Sequence, residues 1–174
     1  MSAICGVWHA DGSPVDEQLL LRMREAASRR GPDGSGLFVK GPVGLAHRLL
    51  KTTPESEYEK QPYSNGRGLW ITADARIDNR EELDHLFAAS GDWPQQDLGT
   101  IPDSLYILRA YELWGEEAPL RLLGDFAFAV WDESNQTLFC ARDPIGVKPF
   151  IYYWDGKRLL FGSESKQIFE DSTI

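Results

Sequence analysis

The apolar positions of this chain fall into short runs separated by turn-forming residues, and the period of the runs changes along its length. Ala3, Ile4, Cys5, Val7 and Trp8 form a short apolar run almost at the amino terminus, which predicts a buried strand. After the turn cluster Asp11-Gly12-Ser13-Pro14, the residues Leu19, Leu20, Met23, Ala26 and Ala27 recur at helical spacing up to a break at Gly31-Pro32. Residues 36–40 and 43–50 are strand-like, and the Gly41-Pro42 pair between them predicts a hairpin. The polar stretch 52–67, with Pro54 and Pro62, predicts a surface loop, and a further strand is expected over 68–73.

Asn79 and Glu82 have capping-box spacing at the head of a helix carrying Leu83, Leu86 and Phe87. A loop is expected over 91–99. Asp103 or Ser104 then caps a helix through Trp114 with Leu105, Leu108 and Tyr111 on one face, and Leu120, Leu122 and Leu123 suggest one more helical turn. The remainder is β-rich, with strands expected over 126–132, 137–142, 150–154 and 158–162. No repeat or low-complexity segment interrupts the pattern. Strands interleaved with helices and ending in a run of hairpins predict an α+β layered domain.

Composition narrows the class. With 174 residues and 42% hydrophobic content, the chain has single-domain size and can bury about two-thirds of its unfolded surface. No run approaches the roughly 18 apolar residues of a membrane span, and the start lacks a basic stretch followed by an apolar one, so a cytoplasmic protein without a signal peptide is expected. The net charge of −9 argues against nucleic acid as a partner. Cys5 and Cys140 make neither a disulfide framework nor a metal-binding spacing, and three scattered His add no metal motif.

Several segments together carry a more specific signal. Arg30-Gly31-Pro32-Asp33-Gly34, Ala46-His47-Arg48, Gln61-Pro62, Ala141-Arg142-Asp143 with Gly146, Lys148 and Pro149, and Gly162-Ser163-Glu164 with Lys166 follow in that order. In order and interval they resemble the glutaminase domains of asparagine synthetases, within the class II glutamine amidotransferases, and the resemblance spans residues 1–174. It implies the four-layer αββα sandwich of the N-terminal-nucleophile amidohydrolases.

The resemblance also exposes departures. The family begins Met-Cys-Gly-Ile, and its terminal Cys attacks the glutamine amide with its own α-amino group as base. Here Met1-Ser2-Ala3-Ile4-Cys5-Gly6 offers two registers. Cys5 as nucleophile would require removal of four residues. Ser2 at the nucleophile position aligns Ile4, Gly6, Asp11-Gly12 and Met23 without a gap and is preferred, which leaves Cys5 as a core thiol. Leu49 stands where the family has the Arg that clamps the substrate carboxylate. The neighbouring Arg48 should face the other side of its strand. Asp74-Ala75-Arg76 stands where the family has Asn-Gly-Glu, whose first two residues donate to the oxyanion and whose Glu binds the substrate ammonium. Asp103 matches a second ammonium-binding carboxylate, and it also reads as a plain helix N-cap. Four changes of charge or hydrogen-bonding type at one site predict a glutaminase that no longer hydrolyses glutamine.

Relatives with retired glutaminase domains include β-lactam synthetases and lasso-peptide cyclases, and residues 52–56 and 72–80 look most like the latter branch. The resemblance implies a partner synthetase domain or subunit, and a peptide substrate as a further candidate partner. ATP and magnesium are expected only in that synthetase, with no cofactor in this domain. The Ser-Gly-Gly-x-Asp-Ser motif of such a synthetase is absent from these residues, so it is expected on the rest of a longer chain or on a separate polypeptide. Arg142, Asp143 and Lys148 are the candidate residues of the domain interface, with Lys148 expected to be exposed. Two other readings stay open: an amidohydrolase that uses Ser2, and a stand-alone binding or regulatory protein.

Overall fold

Strand β1 (Ala3–His9) is closed in on both faces, and the rest of the architecture follows from how its two faces are covered. Successive side chains of a strand point to opposite sides. Cys5 and Val7 accordingly pack against the apolar stripe Leu19, Leu20 and Met23 of helix α1 (Glu17–Ala26), while Ile4 points into the interior against a second sheet. Helix α1 begins where Asp16 accepts the Gln18 amide hydrogen at 2.9 Å, an N-cap that satisfies one of the first unpaired amides. The computed structural model describes residues 1–91, 93, 94 and 97–174.

Among those residues the strands form two antiparallel sheets. The first takes in β1 with β2 (Gly34–Lys40), β3 (Val43–Leu49), β8 (Ile151–Trp154) and β9 (Arg158–Gly162), in the order β2-β3-β1-β9-β8. The second is β4-β5-β6-β7, built from β4 (Tyr63–Ser64), β5 (Leu69–Ile77), β6 (Gly124–Asp132) and β7 (Thr137–Arg142). Ile4, Val43, Leu45, Ala127, Ala129, Trp131 and Phe161 fill the space between the sheets. The outer face of the first sheet carries α1 and the short α4 (Ser165–Ile168). The outer face of the second carries α2 (Arg80–Ala89) and α3 (Asp103–Trp114), with Phe126, Phe128 and Val130 of β6 packed against Leu83, Phe87 and Ile107. The result is an α+β sandwich in four layers, αββα, as the sequence resemblance implied.

Four local expectations need correction. Strand β5 does not end at Ala73 but continues to Ile77, because β6 pairs with it along its whole length, from Leu69 opposite Asp132 to Ile77 opposite Gly124. Asp74, Ala75 and Arg76 are therefore strand residues. The segment 52–67 is not simply a surface loop. It holds a 3₁₀ turn (Pro54–Tyr58) and strand β4, and it turns Gln61 into the interior. Asn79 forms no side-chain cap on α2; its amide instead bridges to the Arg121 carbonyl at 3.0 Å and the Leu123 amide at 2.9 Å. On α3 the buried residues are Asp103, Ser104, Tyr106, Ile107, Leu108 and Ala110, so of the expected face only Leu108 is fully covered. Leu105 and Tyr111 are only half-covered. Part of the loop expected over 91–99 lies outside the described residues.

Trp131 is 1% exposed between the sheets and is the largest fully buried side chain in that layer. Trp131→Ala should lower the unfolding free energy by about 3–5 kcal/mol through lost burial and the cavity left behind, read as a shift in the urea midpoint.

Candidate functional site

A cavity of about 180 Å³ opens beside the amino terminus. It lies where the end of β3, the middle of β5 and the start of α3 converge. Its walls include Ser2, Leu49, Asp74, Ala75, Arg76, Asp103 and Lys148. Every residue singled out as a glutamine-site position thus lies on this one cavity. Of the three interface candidates, Lys148 joins them, whereas Arg142 and Asp143 do not.

Ser2 is held in place by backbone. Its Oγ accepts the Leu50 amide hydrogen at 3.0 Å, and its carbonyl accepts from Arg30 Nε at 3.1 Å. Arg30 belongs to the Arg30–Gly34 segment, which crosses β3 so closely that a Cβ on Gly31 would sit 2.3 Å from the Arg48 carbonyl carbon. Only glycine allows that approach. The segment is fastened further by the Asp33 amide to the Leu49 carbonyl at 2.9 Å and by Asp33 Oδ2, which accepts from the Lys51 amide at 2.8 Å.

Asp74 is almost wholly enclosed, with 5% of its side chain exposed. Lys148 Nζ lies 2.9 Å from one carboxylate oxygen and Arg30 Nη2 lies 3.5 Å from the other. A buried carboxylate needs such partners, since an unpaired charge there would cost several kcal/mol. Lys148, expected on the surface, is in fact only 12% exposed because it reaches inward to this carboxylate. It comes from the turn 143–149, which is folded around Asp143. That carboxylate accepts the amide hydrogens of Val147 at 2.9 Å and Lys148 at 3.0 Å. Burial works to raise the Asp143 pKa, but the amides of Lys148, Val147 and Gly146 outweigh it and hold the carboxyl below its ordinary value. Gly146, at φ +73°, allows the Arg142 guanidinium to lie directly against it.

Asp103 is the first residue of α3 and not its cap; Pro102 holds that position. Its Oδ1 accepts from the Ile77 amide at 3.1 Å and from Arg80 Nη2 at 2.7 Å. Arg80 also reaches Glu55 at 3.2 Å and the Ile101 carbonyl at 3.0 Å. Burial raises the Asp103 pKa, and the Arg80 charge opposes that shift. Arg76 turns outward and grips Asp78 through two bonds of 2.9 and 3.0 Å. Arg48 leaves β3 on the opposite side from Leu49 and pairs with Glu25 of α1.

The peptide leading into Asp74 is fixed from three directions. The Ala73 carbonyl accepts from His47 Nε2 at 3.1 Å and from Gln61 Nε2 at 3.0 Å, and the Ala73 amide donates to Gln61 Oε1. Burial pulls the His47 pKa down to about 4, so the ring is neutral and its Nε2 carries the hydrogen. Cys5 lies on the α1 side of β1, away from the cavity, and burial raises its thiol to about 12. It is a core thiol.

Sequence reasoning missed Glu59 and Arg80 as parts of this site, whereas the Arg30–Asp33 loop was expected among the substrate-contacting residues. Arg80 was within reach, since the Asp103 carboxylate at the start of α3 calls for a cation nearby. Glu59 is visible only through the inward turn of the 52–67 segment.

With this geometry in place, comparison with known proteins decides the family. The sequence profile of the glutamine amidotransferase domain matches residues 1–174. The chain belongs to the glutamine amidotransferase domain family. It is 36% identical over 162 residues to asparagine synthetase [glutamine-hydrolyzing] 3 of Bacillus subtilis, covering 91% of this chain and 26% of the relative. It is 32% identical to the putative asparagine synthetase [glutamine-hydrolyzing] 2 of Methanocaldococcus jannaschii, covering 90% of this chain and 33% of that one. The chain thus spans about a quarter to a third of the length of these curated relatives. The fold matches the B. subtilis glutamine phosphoribosylpyrophosphate amidotransferase complexed with ADP and GMP, with a TM-score of 0.74 at 18% identity over 96% of this chain and 43% of that one. Within the described residues of the amidotransferase domain no cluster of three His, Cys, Asp or Glu is placed to hold a metal, and no helix is long and apolar enough to cross a membrane.

Two outcomes are expected for this site. Asp74→Ala should destabilise the domain by about 3–5 kcal/mol by leaving buried cations uncompensated. The double variant with Lys148→Ala should lose less than the sum of the two single losses, as a double-mutant cycle in urea would show. His47 sets the second. Its folded pKa of about 4 lies below the ordinary 6.5, so the unfolded chain binds the extra proton and stability falls as pH drops from 6.5 towards 4. Glu59 and Asp103, whose pKa values are raised by burial, act with the opposite sign. The diagnostic is therefore the difference between parent and His47→Gln: the parent should lose more stability across that window, by about 3 kcal/mol at most.

Proposed function

We propose that this amidotransferase domain does not hydrolyse glutamine and serves an amide-forming enzyme that needs no ammonia, in which an amine of the substrate itself attacks the activated carboxylate. The carrying observation is the Asp74 carboxylate, enclosed and held between Lys148 and Arg30. Hydrolysis of an amide needs donors aimed at the oxygen that becomes negative. Asp74 offers an acceptor at the position where the family resemblance puts a donor. The other substrate-binding positions support the same reading. Leu49 can form no ion pair with a carboxylate, Arg76 supplies no carboxylate for the α-ammonium and turns outward to Asp78, and Asp103 is already engaged by Arg80.

In this reading the domain docks on an ATP-using synthetase domain or subunit, and the lasso-peptide-cyclase branch is the assignment that the segment 72–80 favours. The turn 143–149 is the proposed contact. Its outward groups are Ile145, 88% exposed, and Val147, next to the exposed Arg142 at the end of β7, while Lys148 is turned inward. The competing reading, an amidohydrolase using Ser2, draws on one observation: the Ser2 hydroxyl lies on the cavity wall with Lys148.

Protein processed to begin at Ser2 should release no ammonia from glutamine above background. Sustained release that Ser2→Ala abolishes would overturn the proposal. Ser2→Cys alone should not restore hydrolysis. Recovery should need Leu49→Arg, Asp74→Asn, Ala75→Gly and Arg76→Glu together, since groups that act as one site are far from additive.

A further inference from the structure

The charges around the cavity do not balance, and the imbalance is confined to one place. On one side Asp74 has Lys148 and Arg30, and at the rim Arg76 has Asp78 and Asp125. On the other side Glu55, Glu59 and Asp103 all line the cavity, and they share a single cation, Arg80, which contacts Glu55 and Asp103. Glu59 is left with neutral partners. Its Oε1 accepts from Ser104 Oγ at 2.6 Å, and Gln61 supplies a second hydrogen bond. Among the described residues it takes part in no ion pair, Lys51 of the adjoining groove being paired with Glu57, and the neighbouring Asp103 charge opposes its ionisation.

Glu59 also stands at a junction. Together with His47, Leu49 and Gln61 it lines both this cavity and the adjoining groove beneath Asp33, Lys51 and Pro62. His47 is neutral and Gln61 is uncharged, so neither offers a counter-charge. Leu49, Leu50, Ala73 and Ala75 give the same cavity an apolar lining. A largely enclosed carboxylate beside an aliphatic surface, with no cation of its own, is complementary to an ammonium on a short methylene stem. The carboxylates Glu55, Glu59 and Asp103 do not form a metal-binding group, which leaves an organic cation as the matching charge.

We infer that the cavity binds a primary alkylammonium of about the reach of a lysine side chain, its charge against Glu59 and its stem along Leu49. A free carboxylate on the ligand is selected against, because Leu49 offers it no partner. This inference rests on the non-hydrolytic reading of the same cavity and names the class of group that the cavity holds.

The test is a titration of the isotope-labelled protein with n-butylamine, n-butanol and butyrate, followed by amide chemical shifts. n-Butylamine should shift Leu50, Ala75 and Ser104 saturably, n-butanol should bind roughly tenfold more weakly or less, and butyrate should leave them unmoved. Glu59→Gln keeps an acceptor for Ser104 and should weaken n-butylamine by about tenfold or more, whereas the exposed-surface control Glu117→Gln should not change it. Leu49→Lys places an ammonium of the protein's own beside Glu59 and should abolish n-butylamine binding while the fold persists. No binding of n-butylamine, or equal binding by the parent and Glu59→Gln, would overturn the inference. Ser2-dependent ammonia release from glutamine would instead overturn the non-hydrolytic reading, whatever the titration shows.

Discussion

The structure depends on burying the first residues of the chain. Chain termini ordinarily fray, yet here Ala3 through Val7 are almost fully covered, with β3 hydrogen-bonded along one edge of β1 and β9 along the other. Two helices and a second sheet are recruited to close the faces. Central placement of β1 is what carries Ser2 to the cavity, where the Leu50 amide and the Arg30 side chain hold it. A site built on a chain end is normally loose. This one is as fixed as the sheet that supports it.

Around that fixed point, the chemistry is written in charge. An enclosed polar group must find a partner or move its pKa, and both solutions occur within a few residues. Asp74 is paired twice, Asp103 is paired once and still shifted upward by burial, Glu59 is shifted with no cation, and His47 stays neutral between Ala73 and the interior. The ion pairs of Asp74 with Lys148 and Arg30 keep that wall of the cavity intact. On the proposed non-hydrolytic reading, the pairing that stabilises this wall also sets an acceptor where a donor would be needed.

The layers were legible in the sequence because each is a matter of period. The Leu19–Met23 stripe, the hairpin at Gly41-Pro42 and the four terminal strands are local patterns, and the ordered motifs placed them in one fold. Ser2, Leu49, Asp74, Ala75, Arg76 and Asp103 were found by position against those motifs, and they do share a cavity. What stayed hidden was non-local. The extension of β5 to Ile77 depends on its partner β6, the inward turn of Gln61 depends on the Ala73 peptide, and the inward reach of Lys148 depends on Asp74, which lies 74 residues earlier in the chain. Arg48 and Leu49 show the opposite case, since the alternation of a strand was enough to separate their sides.

The Lys148–Asp74 pair also has an evolutionary reading. A charge buried against its partner cannot be exchanged alone without leaving the other uncompensated, so positions 74 and 148 are coupled in any mutational path. A single change of Asp74 to a neutral residue would pass through a less stable protein, because Lys148 would be left buried without its partner. The pair acts as a ratchet: as long as both charges are buried together, either one is harder to change than it would be alone.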